Sequence, residues 1–423
     1  MRAFLVETRF ISQRICCTDM TRRHLTLNAA AEGTPSVPQD AHSPGHAGLG
    51  TSIMIRTITG NRVRCLDTAR GLSIFLVVLF HTSITLDHLE ALSPEVWLIS
   101  DFFSSIRMPV FFTISGLLGA RVLALSWRTF LKKRVITLLY LYALWGAIDL
   151  ATASQLGATT GVNDWLRSFS APNPILWFIW ALSAYFVIAK LCRHLKWPAL
   201  IFSASLTVTV ELNLLTETTE HQKSLAYATF FLAGAYMGPT VLTAVKFWKL
   251  ALIASLPLYA GIFFAARWSY IAQEWQALLP ALGIVAGLSG ARLLDAVPIL
   301  NSALIYLGRN TLAIYLAHTQ FLKLLKANSA TLAAWPDFQY WGIFITVAAS
   351  IGLSLALRSI AESVGWRWLY SLPSFLQKQT SQIAEPRIKE GLVPPSADNE
   401  CRPTVQLAGH STPSVLGETL GPR

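Results

Sequence analysis

His81, Arg107 and His318 each sit inside a run of residues almost free of charge. The runs read RGLSIFLVVLFHTSI (70–84), FFSSIRMPVFFTISGLL (102–118) and LGRNTLAIYLAH (307–318). Placed by helical rise, His81 and His318 fall about 15 Å from one edge of their runs, and Arg107 about 13 Å from the opposite edge. An ionisable group at that depth in a bilayer costs of order 3 kcal/mol on insertion scales, so it must face a protein interior or a watery cleft. Three at one depth read as a shared polar site. For any one of them, interhelical hydrogen bonding that holds a bundle together is the plainer account. A neutral imidazole can take a proton from an alcohol and later return it. A guanidinium stays charged and can hold a phosphate or a developing oxyanion. Those parts suit acyl transfer to a hydroxyl, and they also suit a proton-coupled transporter.

The elements that must position these groups are membrane helices. The chain has 423 residues, 53% of them hydrophobic and only 13% charged, against roughly 25% charged in soluble proteins. Aromatic residues make up 11%, which suits belts at two membrane interfaces. The fold class is all-α and polytopic. About ten segments have the roughly 17–25 residues needed to span a hydrocarbon core: 67–87, 98–120, 135–152, 174–191, 197–215, 224–243, 249–267, 275–291, 304–323 and 340–361. The eighth is the weakest, being short with Pro280 and several glycines.

Loop charge orients them. Arg121, Arg128, Lys132, Lys133, Arg134, Lys190, Arg193, Lys196, Lys246, Lys249 and Arg292 fall on one side. The other side has Arg167, Lys223, Arg267, Lys323 and Lys326, and its 87–97 loop carries Asp87, Glu90 and Glu95 without a base. Positive-inside puts the first side, and both termini, in the cytosol. Glu211 and Asp101 then lie towards the outer face. The net charge of +11 is accounted for by orientation, so no nucleic-acid partner is expected.

Residues 1–60 read as a disordered N-terminal extension, with Met54 as the expected true start. Residues 61–372 form the membrane domain, and 373–423 a disordered cytosolic tail. Cys16, Cys17, Cys65, Cys192 and Cys401 are scattered, and no spacing matches a metal site or a disulfide framework. Trp177, Trp180 and Tyr185 read as interface aromatics rather than a sugar-stacking platform. No phosphate loop, dinucleotide fingerprint or zincin motif occurs, and no internal repeat of the transporter kind is visible.

Motif order separates the two chemistries. RCLDTARGLSIFLVVLFH (64–81) resembles the first-helix signature of the integral-membrane acyltransferase-3 family, a basic residue and a histidine separated by ten residues, here Arg70 and His81. FFSSIRMPVFFTISGLL (102–118), FLKKRVITLLYLYALW (130–145), PILWFIWAL (174–182) and LGRNTLAIYLAH (307–318) resemble its later motifs in order. Leu141 stands where the family often has Pro, and Arg107 where many relatives carry His.

The resemblance covers roughly 62–365. It implies transfer of an acyl group, usually acetyl, from cytosolic acyl-CoA to a hydroxyl of a carbohydrate, lipid-linked saccharide or related acceptor. No bound cofactor is implied; acetyl-CoA is a co-substrate. The implied location is the cell (inner) membrane, in contact with lipids. His81 becomes the general base or acyl relay, Arg107 orients the acyl carbonyl, and His318 partners the acceptor or is structural. Arg70, Lys132, Lys133 and Arg134 would bind the CoA phosphates. Asp67 pairs with Arg70 on one helix face. Ser115 and Gly116 allow close backbone approach, for substrate or for a neighbouring helix. The outer loops are short, so a single-domain mechanism is expected. Succinyl transfer by the same fold, a transporter or flippase using the polar cluster, and a catalytically dead relative are the alternatives.

Overall fold

The computed structural model describes residues 47–157, 175–212, 224–328 and 335–373, together with positions 161, 163 and 214, and nearly all side chains from Arg64 onward. The chain divides into two compact units, Met1–Gln377 and Lys378–Arg423, and all described residues belong to the first. Regular structure among them is helical throughout. A backbone in lipid has no water to satisfy it, so it must satisfy itself within each helix.

The first helices in chain order are α1 (Ala47–Asp87), α2 (Pro94–Phe102) and α3 (Ser104–Gly119). There follow α4 (Trp127–Gln155), α5 (Trp177–Leu191), α6 (Lys196–Glu211) and α7 (Ser224–Tyr236). Next come α8 (Gly238–Lys246), α9 (Trp248–Arg267) and α10 (Leu279–Leu294). The last are α11 (Pro298–Arg309), α12 (Thr311–Ala327) and α13 (Phe338–Ser363).

Six described stretches are long and apolar enough to cross a membrane: Arg64–Asp87, Pro94–Ala124, α4, α9, Glu274–Leu294 and α13. The chain is a polytopic, all-helical membrane protein. The segment around Pro280, weakest on sequence, is among the six because Pro280 falls at the first turn of α10, where its missing N–H costs nothing. The other expected segments are shorter or broken helices. Residues 47–60 of the expected N-terminal extension are helical and belong to α1. Residues 1–46, the tail from 374, and Cys16, Cys17 and Cys401 lie outside the described residues.

α1 is the central helix, packing against α3, α10, α11, α12 and α13. Two glycine pairs allow the closest approaches. A Cβ on Gly71 would lie 1.9 Å from the Leu304 carbonyl oxygen, and one on Gly308 2.1 Å from that of Asp67, so α1 and α11 touch backbone to backbone. A Cβ on Gly116 would meet the Phe231 oxygen at 2.0 Å, and one on Gly234 the Thr113 oxygen at 1.9 Å, which joins α3 to α7 in the same way. Without a hydrophobic drive between helices in lipid, such small-residue contacts supply the packing.

Helix breaks are covered from other spans. Phe103 separates α2 from α3, and the Tyr259 hydroxyl of α9 donates to the Phe102 carbonyl at 2.5 Å. Asn310 separates α11 from α12, and Arg358 of α13 donates to its side-chain oxygen. The ninth span was expected over 304–323. It starts instead at Thr311, because Asn310 folds its amide back onto the Tyr306 carbonyl (2.8 Å) and ends α11 there. After α13, Trp145 donates to the Leu369 carbonyl at 2.8 Å and Tyr140 to that of Trp368 at 3.1 Å, so the following segment returns to α4.

Candidate active site

Five helices contribute to the surroundings of His81. The His81 ring on α1 lies 5.3 Å from that of His318 on α12, centroid to centroid. His318 is fully buried. Its Nδ1 sits 3.0 Å from the Ile314 carbonyl oxygen one turn back. A carbonyl only accepts, so Nδ1 carries the proton and Nε2 keeps its lone pair. That Nε2 is buried and has no hydrogen-bond partner. Two imidazolium charges about 5 Å apart would repel by roughly 3 kcal/mol at an effective dielectric near 20, so the pair does not favour charge on both rings at once.

Arg107 of α3 stands over Phe80, its guanidinium carbon 3.4 Å from the ring centroid. Such a cation–π contact contributes about 0.5–2 kcal/mol and fixes the plane of the group. Its Nη1 is buried without a partner, and Arg107 and His318 both lie within electrostatic reach of His81.

From Arg107 the lining continues to its neighbour Tyr227 on α7, and from there to Phe112, at 5.7 Å from Tyr227. Phe178 on α5 follows at 4.7 Å from Phe112, and Tyr315 on α12 at 5.3 Å from Phe178. Tyr315 lies 6.1 Å from His318, which closes the circuit. Its hydroxyl donates to the Ile175 carbonyl at 2.8 Å and so ties α12 to the start of α5. Phe80, His81, Arg107 and Tyr227 keep partial solvent access, whereas Phe112 and His318 have none.

Arg70 is eleven residues before His81 on the same helix, about 16 Å lower by helical rise. Arg70 and Arg134 are both buried and lie within electrostatic reach of each other. Arg134 belongs to a π-helical turn, Leu131–Ile136, inside α4 rather than to a loop. Asp67 makes its ion pair with Arg309, at 3.7 Å, and interacts electrostatically with Arg70 as well. Lys132 is half-buried and Lys133 exposed on the same turn. Gly116 meets Phe231 rather than the histidine pair, and Ser115 is buried beside it.

Sequence reasoning passed over Asp149, which is buried in α4 and takes hydrogen bonds from Lys323 Nζ at 2.6 Å and Gln320 Nε2 at 2.9 Å. The run YLYALWGAIDLATA (140–153) carries the signal, a lone carboxylate among apolar residues. Lys323 and Lys190, assigned to loops on sequence, lie within α12 and α5. Lys190 is buried and donates to the Leu123 and Leu125 carbonyls at 2.9 and 2.6 Å. Tyr227 had no sequence signal, since a tyrosine in an apolar run is ordinary. No metal-ligating cluster occurs among the described residues, and Cys65 and Cys192 are free thiols.

Comparison with known proteins adds a second line. The family model described as an acyltransferase domain matches residues 63–357. The inner membrane protein YcfT of Escherichia coli (strain K12) is 25% identical over 313 residues, which cover 65% of this chain and 83% of that protein. No solved structure matches.

Proposed function

The chain belongs to the acyltransferase-3 family and is a membrane acyltransferase; from that premise we propose that it moves an acetyl group from acetyl-CoA to a hydroxyl of a carbohydrate or related acceptor. The observation that carries the reading is the His81–His318 pair beside Arg107, set on the same helix as a buried Arg70. Family membership removes the transporter and flippase alternative as the primary activity. Succinyl transfer by the same residues stays an arm of the test. The catalytic domain is assigned to residues 61–372, in the inner membrane with both termini cytosolic.

In this reading Arg70 and Arg134, with Lys132 and Lys133, hold the CoA phosphates, and Asp67 with Arg309 keeps Arg70 in place. The thioester arm bridges the distance of about 16 Å to His81. His81 takes the proton as the acceptor oxygen attacks the thioester carbonyl carbon. The carbonyl oxygen becomes an oxyanion opposite the unpaired Arg107 Nη1. Collapse breaks the carbon–sulfur bond, and the CoA thiolate leaves with the proton returned from His81. His318, with Nδ1 committed to Ile314, offers the Nε2 lone pair to the same proton. Ser115 and Gly116 support α3, the helix that carries Arg107.

The test is transfer of radiolabel from acetyl-CoA, and separately from succinyl-CoA, to cell-envelope glycans by purified protein and His81→Ala. The expected result is transfer by wild type and a loss of about 10²–10⁴-fold in the variant at unchanged melting temperature. Equal transfer by both would remove His81 from the chemistry. Preference for succinyl-CoA would replace the donor and keep the mechanism.

A further inference from the structure

We infer that Trp177, Tyr227, Tyr185 and Glu211, next to Arg107, form a saccharide-binding subsite that presents the acceptor hydroxyl to His81. The inference deepens the reading above and rests on it for the direction of transfer, but not for the binding.

Trp177 and Tyr227 face each other with ring centroids 5.6 Å apart and planes 37° from parallel. Phe112 backs both, at 6.0 Å from Trp177 and 5.7 Å from Tyr227. Trp177 and Tyr227 keep partial solvent access, while Phe112 beneath them has none. Trp177 and Tyr227 therefore form a partly exposed aromatic wall over a closed apolar floor. A sugar ring has C–H faces that lie on such surfaces and a rim of hydroxyls that does not.

The polar groups around this wall match the rim. Tyr185, about two turns after Trp177 on α5, is 1% exposed, and its hydroxyl is buried without a hydrogen-bond partner. It lies against Phe112 at 5.1 Å and within electrostatic reach of Tyr227. An orphaned buried hydroxyl costs about 1–3 kcal/mol, a cost that a ligand hydroxyl would remove. Tyr227 lies within electrostatic reach of both Arg107 and the carboxylate of half-buried Glu211. A hydrocarbon ligand would leave the Tyr185 hydroxyl and the Glu211 carboxylate unmet, whereas a polyhydroxylated ring offers a partner to each. Arg107 belongs both to this wall and to the His81 surroundings, so a ring seated here has a rim hydroxyl near the reacting centre. Trp177 and Tyr185, dismissed on sequence as interface aromatics, are thereby reassigned; Tyr185 lies in the bundle core.

A free oligosaccharide and a lipid-linked one share this chemistry, and the experiment separates them. The full-length protein in detergent is titrated without acyl donor, following tryptophan fluorescence. One arm uses the water-soluble saccharide fraction of the source cells' envelopes, the other their chloroform–methanol glycolipid extract. Saturable binding is expected in one arm, and that arm identifies the source. Tyr185→Phe removes a hydroxyl that bonds nothing in the protein, so its melting temperature should hold while binding weakens about tenfold, the size of one lost hydrogen bond. Trp177→Ala should abolish saturation and Trp177→Phe should recover part of it.

Acyl transfer to the same fraction is then measured with His81→Ala alongside. Wild-type affinity in both Tyr185→Phe and Trp177→Ala overturns the subsite and leaves the acyltransferase reading standing. Absence of saturable binding in both arms overturns it likewise. Intact, Tyr185-dependent binding with no label transferred keeps the subsite and overturns the acetyl-to-carbohydrate reading instead.

Discussion

At the scale of single residues, the site is defined by polar atoms that the protein leaves unsatisfied. His318 Nε2 and Arg107 Nη1 are buried without partners, and each such group costs stability that a purely structural role would not demand. Both belong to residues within electrostatic reach of His81. Arg107→Lys keeps the charge but loses the planar stack on Phe80 and the fork of donors. The expected outcome is a fall in kcat of roughly 10–100-fold with the melting temperature lowered only slightly, read by transfer kinetics and thermal unfolding on the same preparation. An unchanged kcat would mean that charge alone suffices there. The residue types and depths of His81, Arg107 and His318 were legible in the sequence, because a charge in an apolar run stands out by itself. Tyr227 and Tyr185 were not, because an aromatic in such a run looks the same whether it faces lipid, core or ligand.

At the scale of elements, two kinds of contact hold the helices in place. The first is backbone on backbone at Gly71 with Leu304 and Gly308 with Asp67. Gly308→Ala would place a Cβ 2.1 Å from the Asp67 carbonyl, forcing α1 and α11 apart at a cost of about 1–3 kcal/mol. It should lower the melting temperature and, by moving the turn that carries Arg70, raise the KM for acyl-CoA. Gly261→Ala, where nothing lies within 4 Å, is the control and should be neutral or stabilising by up to about 1 kcal/mol.

The second kind is the Lys323–Asp149 ion pair between α12 and α4. Removing one partner leaves a buried charge, so Lys323→Met alone should destabilise by about 3–5 kcal/mol, and adding Asp149→Asn should recover most of that. Equal melting temperatures for single and double variants would show that water already solvates Asp149. The glycine contacts were half legible. Gly116 was recognised as a close-approach position, but the partner backbone, on α7, was set by which faces meet.

At the scale of the whole molecule, the strongly basic 121–134 segment and the acidic 87–97 loop lie at opposite ends of the expected second span. With both termini assigned to the cytosol, Arg128→Cys should react with an impermeant thiol reagent only from the cytosolic side, and His88→Cys only from outside, each on a background freed of native cysteines. Labelling of both from one side would refute the orientation and the placing of the donor at Arg70. The circuit around His81 draws on α1, α3, α5, α7 and α12, so it exists only when helices far apart in the sequence pack together: His81 and His318 are 5.3 Å apart in space.

The sequence by itself determined the class and the inventory. Length, apolar runs and sparse charge dictate membrane helices, because a span's length and its intolerance of charge are properties of each segment alone. The spacing of Arg70 and His81 fixed their separation along one helix, since helical rise is local. Only the tertiary structure decided which residues meet. Lipid is as apolar as the helix faces that pack, so the apolar pattern does not mark which face turns inward. The His81–His318 pairing, the Trp177–Tyr227 wall and the Asp149–Lys323 bridge therefore had to come from helix against helix.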